Sequence, residues 1–466
     1  MRNSRKTMNI KLDYSNLIST NIGDEHGIDF EVLKQLVETG SAAAAALEKK
    51  IEDDTLGFYK LPDNSELVEE IETYASSVRE RFTHYVHVGI GGSALGPIAL
   101  QSSLRNTYYN NQDSPKMYFP DNVDPDWLAE LMEEIDVKKT LFHVVSKSGG
   151  TAETAATMLY IMSFLKEKLG ENFYKNLLFT TDPTKGLLNQ IALENAIKCF
   201  RIPPNVGGRF SVLSPVGLIP AAIAGIDIKK LMAGAAEMCD LCREQDVLKN
   251  PAFIFAATHT ILMKKNKNIS VMMPYSNKLK DISDWYGQIW AESIGKRFDN
   301  QNNVVEVGQT PVKALGATDQ HSQVQLYVEG PNDKVVTFLE VEKFKNNHLL
   351  QNHFPYIKDF DYLAGKSLGN LLNSEKHATE IALTNNNRPN LTIKISEVSE
   401  ENVGALIFFF QAATAFAGEL LNINAFDQPG VEEGKIATYA LMGREGYAKK
   451  KEEIETAAAK KKLFII

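Results

Sequence analysis

The sequence predicts an α/β protein with two doubly wound parallel sheets, flanked by helices at both ends. Two observations support this. Short β-branched runs that end at Gly, Ser or Asp alternate with longer helical segments, which is typical of parallel sheets covered by helices. This alternation begins near Tyr85 and a second series begins near Asn268. A chain of 466 residues is long enough for two domains of ordinary size.

The domain boundaries are predicted from where each series starts and stops. Residues 1–75 are rich in Ala, Glu, Lys and Leu at helical spacing and predict a helical N-terminal arm without strands. Residues 76–245 and 246–435 are the two α/β domains, and 436–466 a Lys-rich helical tail. The predicted strands are 85–90, 116–120, 140–145 and 176–181 in the first domain, and 269–274, 303–307, 334–340 and 390–395 in the second.

Charge and hydropathy exclude several classes of partner. The chain has 50 Lys and Arg against 59 Asp and Glu, a net charge of −9, which argues against nucleic acid or an anionic membrane surface as partner. Its start, MRNSRKTMNIKLDYSN, lacks the apolar core of a secretion signal, so we expect a cytoplasmic protein. The apolar run 403–417 contains Gln411 and is too short for a membrane span, which predicts a buried helix.

Cysteine usage gives no sign of a metal site. The chain has three cysteines, and Cys239 and Cys242 form a lone CxxC inside a stretch with helical spacing. A structural zinc site needs about four ligands, and no second pair lies nearby in the sequence. We therefore expect ordinary thiols and no bound metal.

Two loops after predicted strands have the composition of anion-binding loops. Gly89 to Gly96 places four glycines between a strand and a helix, where backbone N–H groups and the positive helix end can meet an anion. Ser146 to Thr154 adds four hydroxyls, a lysine and two glycines ahead of the next helix. In open parallel sheets ligands bind at this edge, so the two loops predict a compact phosphate site.

Two other interpretations of these loops stay open at this point. Gly89, Gly91 and Ala94 fit the dinucleotide fingerprint with Asp121 after the next strand, which is typical of an NAD-dependent oxidoreductase. Alternatively, the glycines make only a tight turn, and Ser148 or Thr151 only caps a helix. The second loop favours a single phosphate, because a dinucleotide would not need it and a cap needs only one hydroxyl.

Six motifs in one order carry a family resemblance. They are GIGGSALGP (89–97), SKSGGTAET (146–154), NVGGRFSVLSPVG (205–217), WYGQIWAESIGK (285–296), GATDQHSQVQL (316–326) and NAFDQPGVEEGK (424–435). Together they resemble the phosphoglucose isomerase family. The resemblance implies two sugar-isomerase (SIS) domains and reversible isomerisation of glucose 6-phosphate and fructose 6-phosphate, a step of glycolysis and gluconeogenesis. It also implies a homodimer that uses no metal and no organic cofactor.

The resemblance assigns a role to each matching residue. Glu292 matches the base that moves a proton between the first two carbons of the open sugar, and Arg209 matches the arginine that stabilises the enediolate. His321 and Lys435 match the pair that opens the pyranose ring, and the histidine serves the partner subunit's site. Residues that match substrate or phosphate ligands are Gly92, Ser93, Ser146, Lys147, Ser148, Thr151, Gly208, Gln288 and Gln428.

The residues themselves support part of this assignment. Gln288 and Glu292 are four apart and share one helical face, so both side chains are expected at one site. Gly150 stands where many family members have a hydroxyl, so one phosphate contact is expected to be lost, although the backbone N–H of Gly150 can still donate. A sugar-phosphate sensor without catalysis is a further alternative, but it would not need Glu292, Arg209, His321 and Lys435 together.

Overall fold

The computed structural model describes residues 10–465. The prediction that the chain has no secretion signal concerns residues 1–16, and residues 1–9 lie outside the described range. Contacts between residues divide the chain into two compact units, the first ending at Ala425 and the second starting at Phe426. All strands of the described residues belong to the first unit, and residues 426–465 of the second unit form helices but no strand. The predicted boundaries after residues 75, 245 and 435 remain predictions.

The strands and helices alternate along most of the chain. The strands are β1 (Ile10–Asp13), β2 (His84–Val88), β3 (Lys116–Tyr118), β4 (Thr140–Val145), β5 (Leu177–Thr181), β6 (Lys198–Arg201), β7 (Ile269–Pro274), β8 (Lys296–Phe298), β9 (Val304–Val307), β10 (Thr310–Lys313), β11 (Lys334–Val341) and β12 (Asn390–Ile395). The α-helices are α1 (Ser19–Ile22), α2 (Phe30–Glu52), α3 (Ser65–Arg81), α4 (Leu95–Leu104), α5 (Tyr109–Gln112), α6 (Pro125–Glu134), α7 (Ala152–Leu169), α8 (Leu187–Glu194), α9 (Pro215–Ile223), α10 (Ile228–Cys242), α11 (Pro251–Lys264), α12 (Lys280–Ile294), α13 (Val324–Glu329), α14 (Leu368–Asn385), α15 (Glu400–Leu420), α16 (Glu432–Leu441) and α17 (Ala448–Lys460).

Side-chain caps fix where several of these helices begin. Asp29 caps α2, Asn64 caps α3 and Asp227 caps α10, each accepting a hydrogen bond from an amide of the first turn. Ser367 and Asn370 form a reciprocal capping box at the start of α14. Such caps satisfy amides that have no partner within the helix, so these starts are encoded locally.

The first sheet is wholly parallel, with strand order β3-β2-β4-β5-β6. All residues of β4 and β5 are buried, as expected for strands covered on both faces. The winding direction reverses between β2 and β4, where Val88 pairs with Val144. The loops that follow these two strands therefore meet at the point where doubly wound sheets bind ligands.

The second sheet repeats this winding, with order β1-β12-β11-β7-β10. Strands β7, β10, β11 and β12 are parallel to one another, and β1 at the edge is antiparallel to β12. The reversal lies between β7 and β11. The predicted fold class is confirmed, with this one antiparallel edge strand added.

Several predictions about individual strands are wrong. The arm is not wholly helical, because Ile10–Asp13 pairs with β12, a partner far away in the sequence. The 303–307 run does form β9, but it pairs with β8 in a separate two-stranded antiparallel sheet. On the side of β7 away from β11, the parallel neighbour is instead β10, whose sequence TPVK contains a proline and no apolar run. The edge strand β6 was likewise not predicted.

Helix α15 is buried over most of its length, as predicted from its apolar run. Among the described residues it is the one helix long and apolar enough to cross a membrane, but 89% of its apolar window is buried inside the protein. It packs against α10 with two glycines at the contact. A Cβ atom on Gly234 would lie 1.9 Å from the Glu401 carbonyl oxygen, and one on Gly404 would lie 1.9 Å from that of Leu231.

Gly404→Ala should therefore destabilise the protein, because the new methyl group meets backbone that cannot rotate away. We expect the free energy of unfolding to fall by about 1–3 kcal/mol or more, measured by urea denaturation. Gly287→Ala in α12 is the matched control, since a Cβ there has no neighbour within 4 Å. Equal stability of the two variants would show that the α10–α15 contact is not as tight as described.

Candidate active site

A buried histidine stabilises the first anion-binding loop, Gly89 to Gly96. After β2 the chain makes a 3-10 turn, Gly91–Ser93, in which Gly91 has a positive φ of 55°. The His87 ring donates from Nε2 to the Ser93 carbonyl at 2.6 Å. Burial lowers the pKa of His87 to about 4, so the ring is neutral at pH 7. His87 is a supporting residue that the sequence motifs did not identify.

The second loop joins its hydroxyls to one another. Thr151 Oγ1 lies 3.2 Å from Ser146 Oγ and 3.3 Å from Ser148 Oγ. The Gly149 and Gly150 amides donate to Ser146 and Ser148, respectively. Thr151 occupies the N-cap position of α7, but its side chain makes no capping hydrogen bond. The hydroxyls are therefore not explained by helix capping.

Lys147 connects this loop to the segment that precedes Arg209. Its ammonium donates to the carbonyls of Pro204 at 2.7 Å and Val206 at 2.9 Å. Burial lowers the pKa of Lys147, and the Asp182 carboxylate opposes this effect. The positive charge of Lys147 is thus directed to backbone oxygens, in a position that holds the hydroxyl loop against the segment that leads to Arg209.

Glycines allow three segments to converge on one point. A Cβ atom on Gly92 would lie 2.4 Å from the carbonyl carbon of Gly208, so only glycine permits this approach at Gly92. A Cβ on Gly91 would lie 3.0 Å from Gln288 Nε2. The first loop therefore contacts both the segment that carries Arg209 and the helix α12 that carries Gln288.

Arg209 is a buried cation that is held by hydrogen bonds and an ion pair. It is only 3% exposed. Its Nε donates to Ser293 Oγ at 2.7 Å and its Nη2 to the Ala425 carbonyl at 2.6 Å. Its Nη1 lies 3.4 Å from Glu292 Oε2. Burying a charge is unfavourable unless it is paired and hydrogen-bonded, and these contacts meet that requirement.

Glu292 and Gln288 lie on one face of α12, and Arg209 contacts Glu292 from another segment of the chain. Gln288 Nε2 donates to Glu292 Oε1 at 3.1 Å, while Oε2 faces the arginine. The side chain is 32% exposed, so a ligand in solution can reach it. A carboxylate beside a fixed cation can accept a proton while the cation stabilises negative charge on the group that loses it.

The structure brings together most, but not all, of the predicted site residues. Within the first unit, the contacts join Gly92, Gly208, Arg209, Gln288 and Glu292. The hydroxyl loop follows β4, and the loop with Gly92 follows the neighbouring strand β2. Ser293 and the Ala425 carbonyl, which hold Arg209, were not predicted, because no sequence pattern shows which groups surround a buried side chain.

The contacts described above do not include three of the predicted residues. His321 ends an exposed 3-10 turn, Thr318–His321, and makes no side-chain hydrogen bond or ion pair within residues 10–465. Gln428 and Lys435 belong to the second unit. Gln428 precedes the 3-10 turn Pro429–Val431, and Lys435 lies in the first turn of α16, with its ammonium 2.8 Å from Glu432.

The cysteines of the CxxC pair are buried free thiols in α10. Burial raises the pKa of Cys239 to about 12. Among residues 10–465, no three His, Cys, Asp or Glu side chains are grouped so that they could hold a metal ion.

Paired phosphate-type loops at a switch point, with a carboxylate beside a buried arginine, define an isomerase of sugar phosphates. Comparison with known proteins makes this specific. A family model for phosphoglucose isomerase matches residues 62–458, and the chain belongs to this family.

Curated relatives are similar over nearly the whole chain, and a solved structure has a similar fold. A glucose-6-phosphate isomerase of Carboxydothermus hydrogenoformans is 48% identical over 96% of this chain and 97% of its own length. One from Rubrobacter xylanophilus is 42% identical over 94% and 99% of the two chains. The crystal structure of a hypothetical protein from Thermus thermophilus superposes with a TM-score of 0.83 at 35% identity, covering 93% of this chain and 100% of the other.

Proposed function

We propose that the protein interconverts glucose 6-phosphate and fructose 6-phosphate through ring opening and a cis-enediolate, with Glu292 as the base. The observation that carries this proposal is the contact of Glu292 with the buried Arg209 beside two phosphate-type loops. The names of the relatives support the substrate pair. We also propose a cytoplasmic location.

In the proposed isomerisation, Glu292 removes the proton from C2 of the open-chain aldose. The electron pair forms the C1–C2 double bond, and the carbonyl oxygen on C1 becomes the enediolate oxygen. Arg209 stabilises this negative charge without proton transfer, since a guanidinium stays protonated. The C2 hydroxyl then passes its proton to the oxygen on C1, which moves the negative charge to O2. Glu292 returns its proton to C1 while an electron pair on O2 forms the C2 carbonyl, which gives the ketose. Gln288 keeps the carboxylate oriented through its hydrogen bond to Oε1.

The phosphate is proposed to bind at the meeting point of the two loops. Backbone amides and hydroxyls would hold it, without a large local positive charge. Lys147 is oriented toward the carbonyls of Pro204 and Val206, so its contribution is proposed to be mainly the positioning of these loops. The proposed substrate and phosphate ligands are Gly92, Ser93, Ser146, Lys147, Ser148, Thr151, Gly208, Gln288 and Gln428.

Ring opening is proposed to use Lys435 and the partner subunit's His321. The exposure of His321 supports this, because its ring makes no hydrogen bond or ion pair with its own described chain and is free to enter another subunit. An imidazole can both give and take a proton near neutral pH. The proposed enzyme is therefore a homodimer in which each active site needs both chains.

Glu292→Gln should separate binding from chemistry. Sugar phosphate should still bind within a few-fold of the wild-type affinity, while turnover falls by about two to four orders of magnitude because the base is lost. A coupled assay of fructose 6-phosphate conversion measures turnover, and calorimetry measures binding. Glu130→Gln, at an exposed position on α6, is the control and should keep full activity. Normal turnover of Glu292→Gln would exclude the proposed role.

Mixed dimers test the sharing of His321 between subunits. Glu292→Gln and His321→Ala chains should each form poorly active homodimers. A mixed dimer has one site that combines native Glu292 with a native His321 from the other chain. Random mixing in equal amounts should therefore restore about a quarter of the wild-type activity. If His321 serves its own subunit, or if the protein is a monomer, the mixture gains no activity over the separate variants.

A further inference from the structure

A crevice of about 640 Å³ opens at the switch point of the second sheet, separate from the active site. Its wall includes Ser276 after β7, Val341 at the end of β11 and Val398 after β12. The opposite wall is formed by the C-terminal end of α4 and the residues that follow it. Crevices at this edge of doubly wound sheets are preferred ligand sites. We call it the β7–β11 crevice.

The β7–β11 crevice is positively charged in a protein whose net charge is −9. Four cations line it, Arg105, Lys278, Lys343 and Lys345, and no Asp or Glu is among its lining residues. Within residues 10–465, none of the three lysines forms an ion pair with a carboxylate, and Arg105 pairs only with Asp113 at 3.2 Å. Carboxylates therefore neutralise little of the positive charge of this cluster.

Lys278 is one of two partly buried cations in this cluster. It is half-buried, and its ammonium donates to the Arg105 carbonyl. Burial lowers the pKa of Lys278, and the charges of Lys345 and Arg105 lower it further. Bringing an anion into the crevice would remove this mutual repulsion, which is a favourable contribution to binding.

Unsatisfied polar atoms give an independent indication of a ligand. Ser103 is only 3% exposed and lines the crevice, and its Oγ has no hydrogen-bond partner. Arg105 Nε is also buried without a partner. Buried donors are rarely left unpaired, because each costs about 1–3 kcal/mol. A ligand with several acceptor oxygens would satisfy the Ser103 hydroxyl.

The rest of the crevice wall is apolar and aromatic. Leu104, Val341 and Leu372 contribute aliphatic surface, and Phe344 and Tyr108 contribute rings. The Phe344 ring is held in place over Gly369, where a Cβ atom would lie 2.7 Å from Phe344 Cδ2. A small inorganic anion would leave this surface unused, whereas a planar aromatic group would cover it.

The β7–β11 crevice does not overlap the catalytic groups. Helix α12 starts at Lys280, two residues after Lys278, and Glu292 lies twelve residues along it. At about 1.5 Å per residue, roughly 18 Å separates Glu292 from the helix start next to the crevice. None of the proposed catalytic or substrate ligands lines the crevice.

From this arrangement we propose that the β7–β11 crevice binds a nucleoside phosphate, a ligand that the isomerase reaction itself does not require. The phosphates contact Arg105, Lys278, Lys343 and Lys345, and one phosphate oxygen accepts from Ser103. The base lies against Phe344 and Tyr108.

Calorimetric titration of the whole enzyme with ADP tests this proposal. ADP should bind with the same affinity in the absence and presence of saturating fructose 6-phosphate. Adenosine and inorganic diphosphate should each bind at least about tenfold more weakly, because each lacks one half of the recognised chemistry. Isomerase activity without ADP is measured in parallel to show that the protein is folded and that the active site is intact.

Charge reversal locates the bound ADP. The double variant Lys343→Glu with Lys345→Glu should keep its isomerase activity and bind ADP at least about tenfold more weakly. The matched control, Lys138→Glu with Lys139→Glu, makes the same charge change at exposed positions before β4 and should bind ADP within about twofold of the wild type.

Four results would overturn the proposal. They are no binding of ADP, displacement of ADP by fructose 6-phosphate, equal affinity for inorganic diphosphate, or equal weakening by the two charge-reversal variants. None of these results depends on whether Glu292 is the catalytic base, so the proposed reaction and the proposed second site can fail separately.

Discussion

The burial of Arg209 is the constraint on which the rest of the active site depends. A guanidinium removed from water must be surrounded by acceptors, and here they come from separate segments of the chain. Glu292 and Ser293 are on α12, and the Ala425 carbonyl lies at the end of the first unit. The contacts of Arg209 therefore fix the position of α12, which carries the proposed base Glu292. They also keep Glu292 beside a permanent cation.

The two glycine-containing loops depend on the same constraint. Gly92 contacts the backbone at Gly208, so the loop after β2 is positioned by the segment that leads into Arg209. Lys147 connects the loop after β4 to that segment from the other side. The neutral His87 supports the first loop from inside the sheet. A site of this kind is preorganised by backbone contacts and needs little net charge to hold a phosphate.

The sequence was sufficient for features that depend on local pattern and failed for those that depend on distant partners. The buried strands β4 and β7 were predicted with correct ends, and the loops that follow the strands were identified from their glycines and hydroxyls. The edge strand Ile10–Asp13 was missed because its pairing with β12 stabilises it, and four residues carry no usable periodicity. Likewise, the spacing of Gln288 and Glu292 predicted their contact, but no pattern could indicate that Ser293 and Ala425 hold Arg209.

The central claim, that one carboxylate beside Arg209 moves a proton between two carbons, is tested most directly by following the hydrogen itself. Glucose 6-phosphate deuterated at C2 is converted in ordinary water, and the fructose 6-phosphate formed is analysed at C1 by NMR. A carboxylate that carries the proton can exchange it with water, so the account predicts that solvent hydrogen enters C1 and deuterium is only partly transferred. Complete retention of deuterium at C1, without any solvent hydrogen, would indicate direct hydride transfer and contradict the enediolate and the role of Glu292.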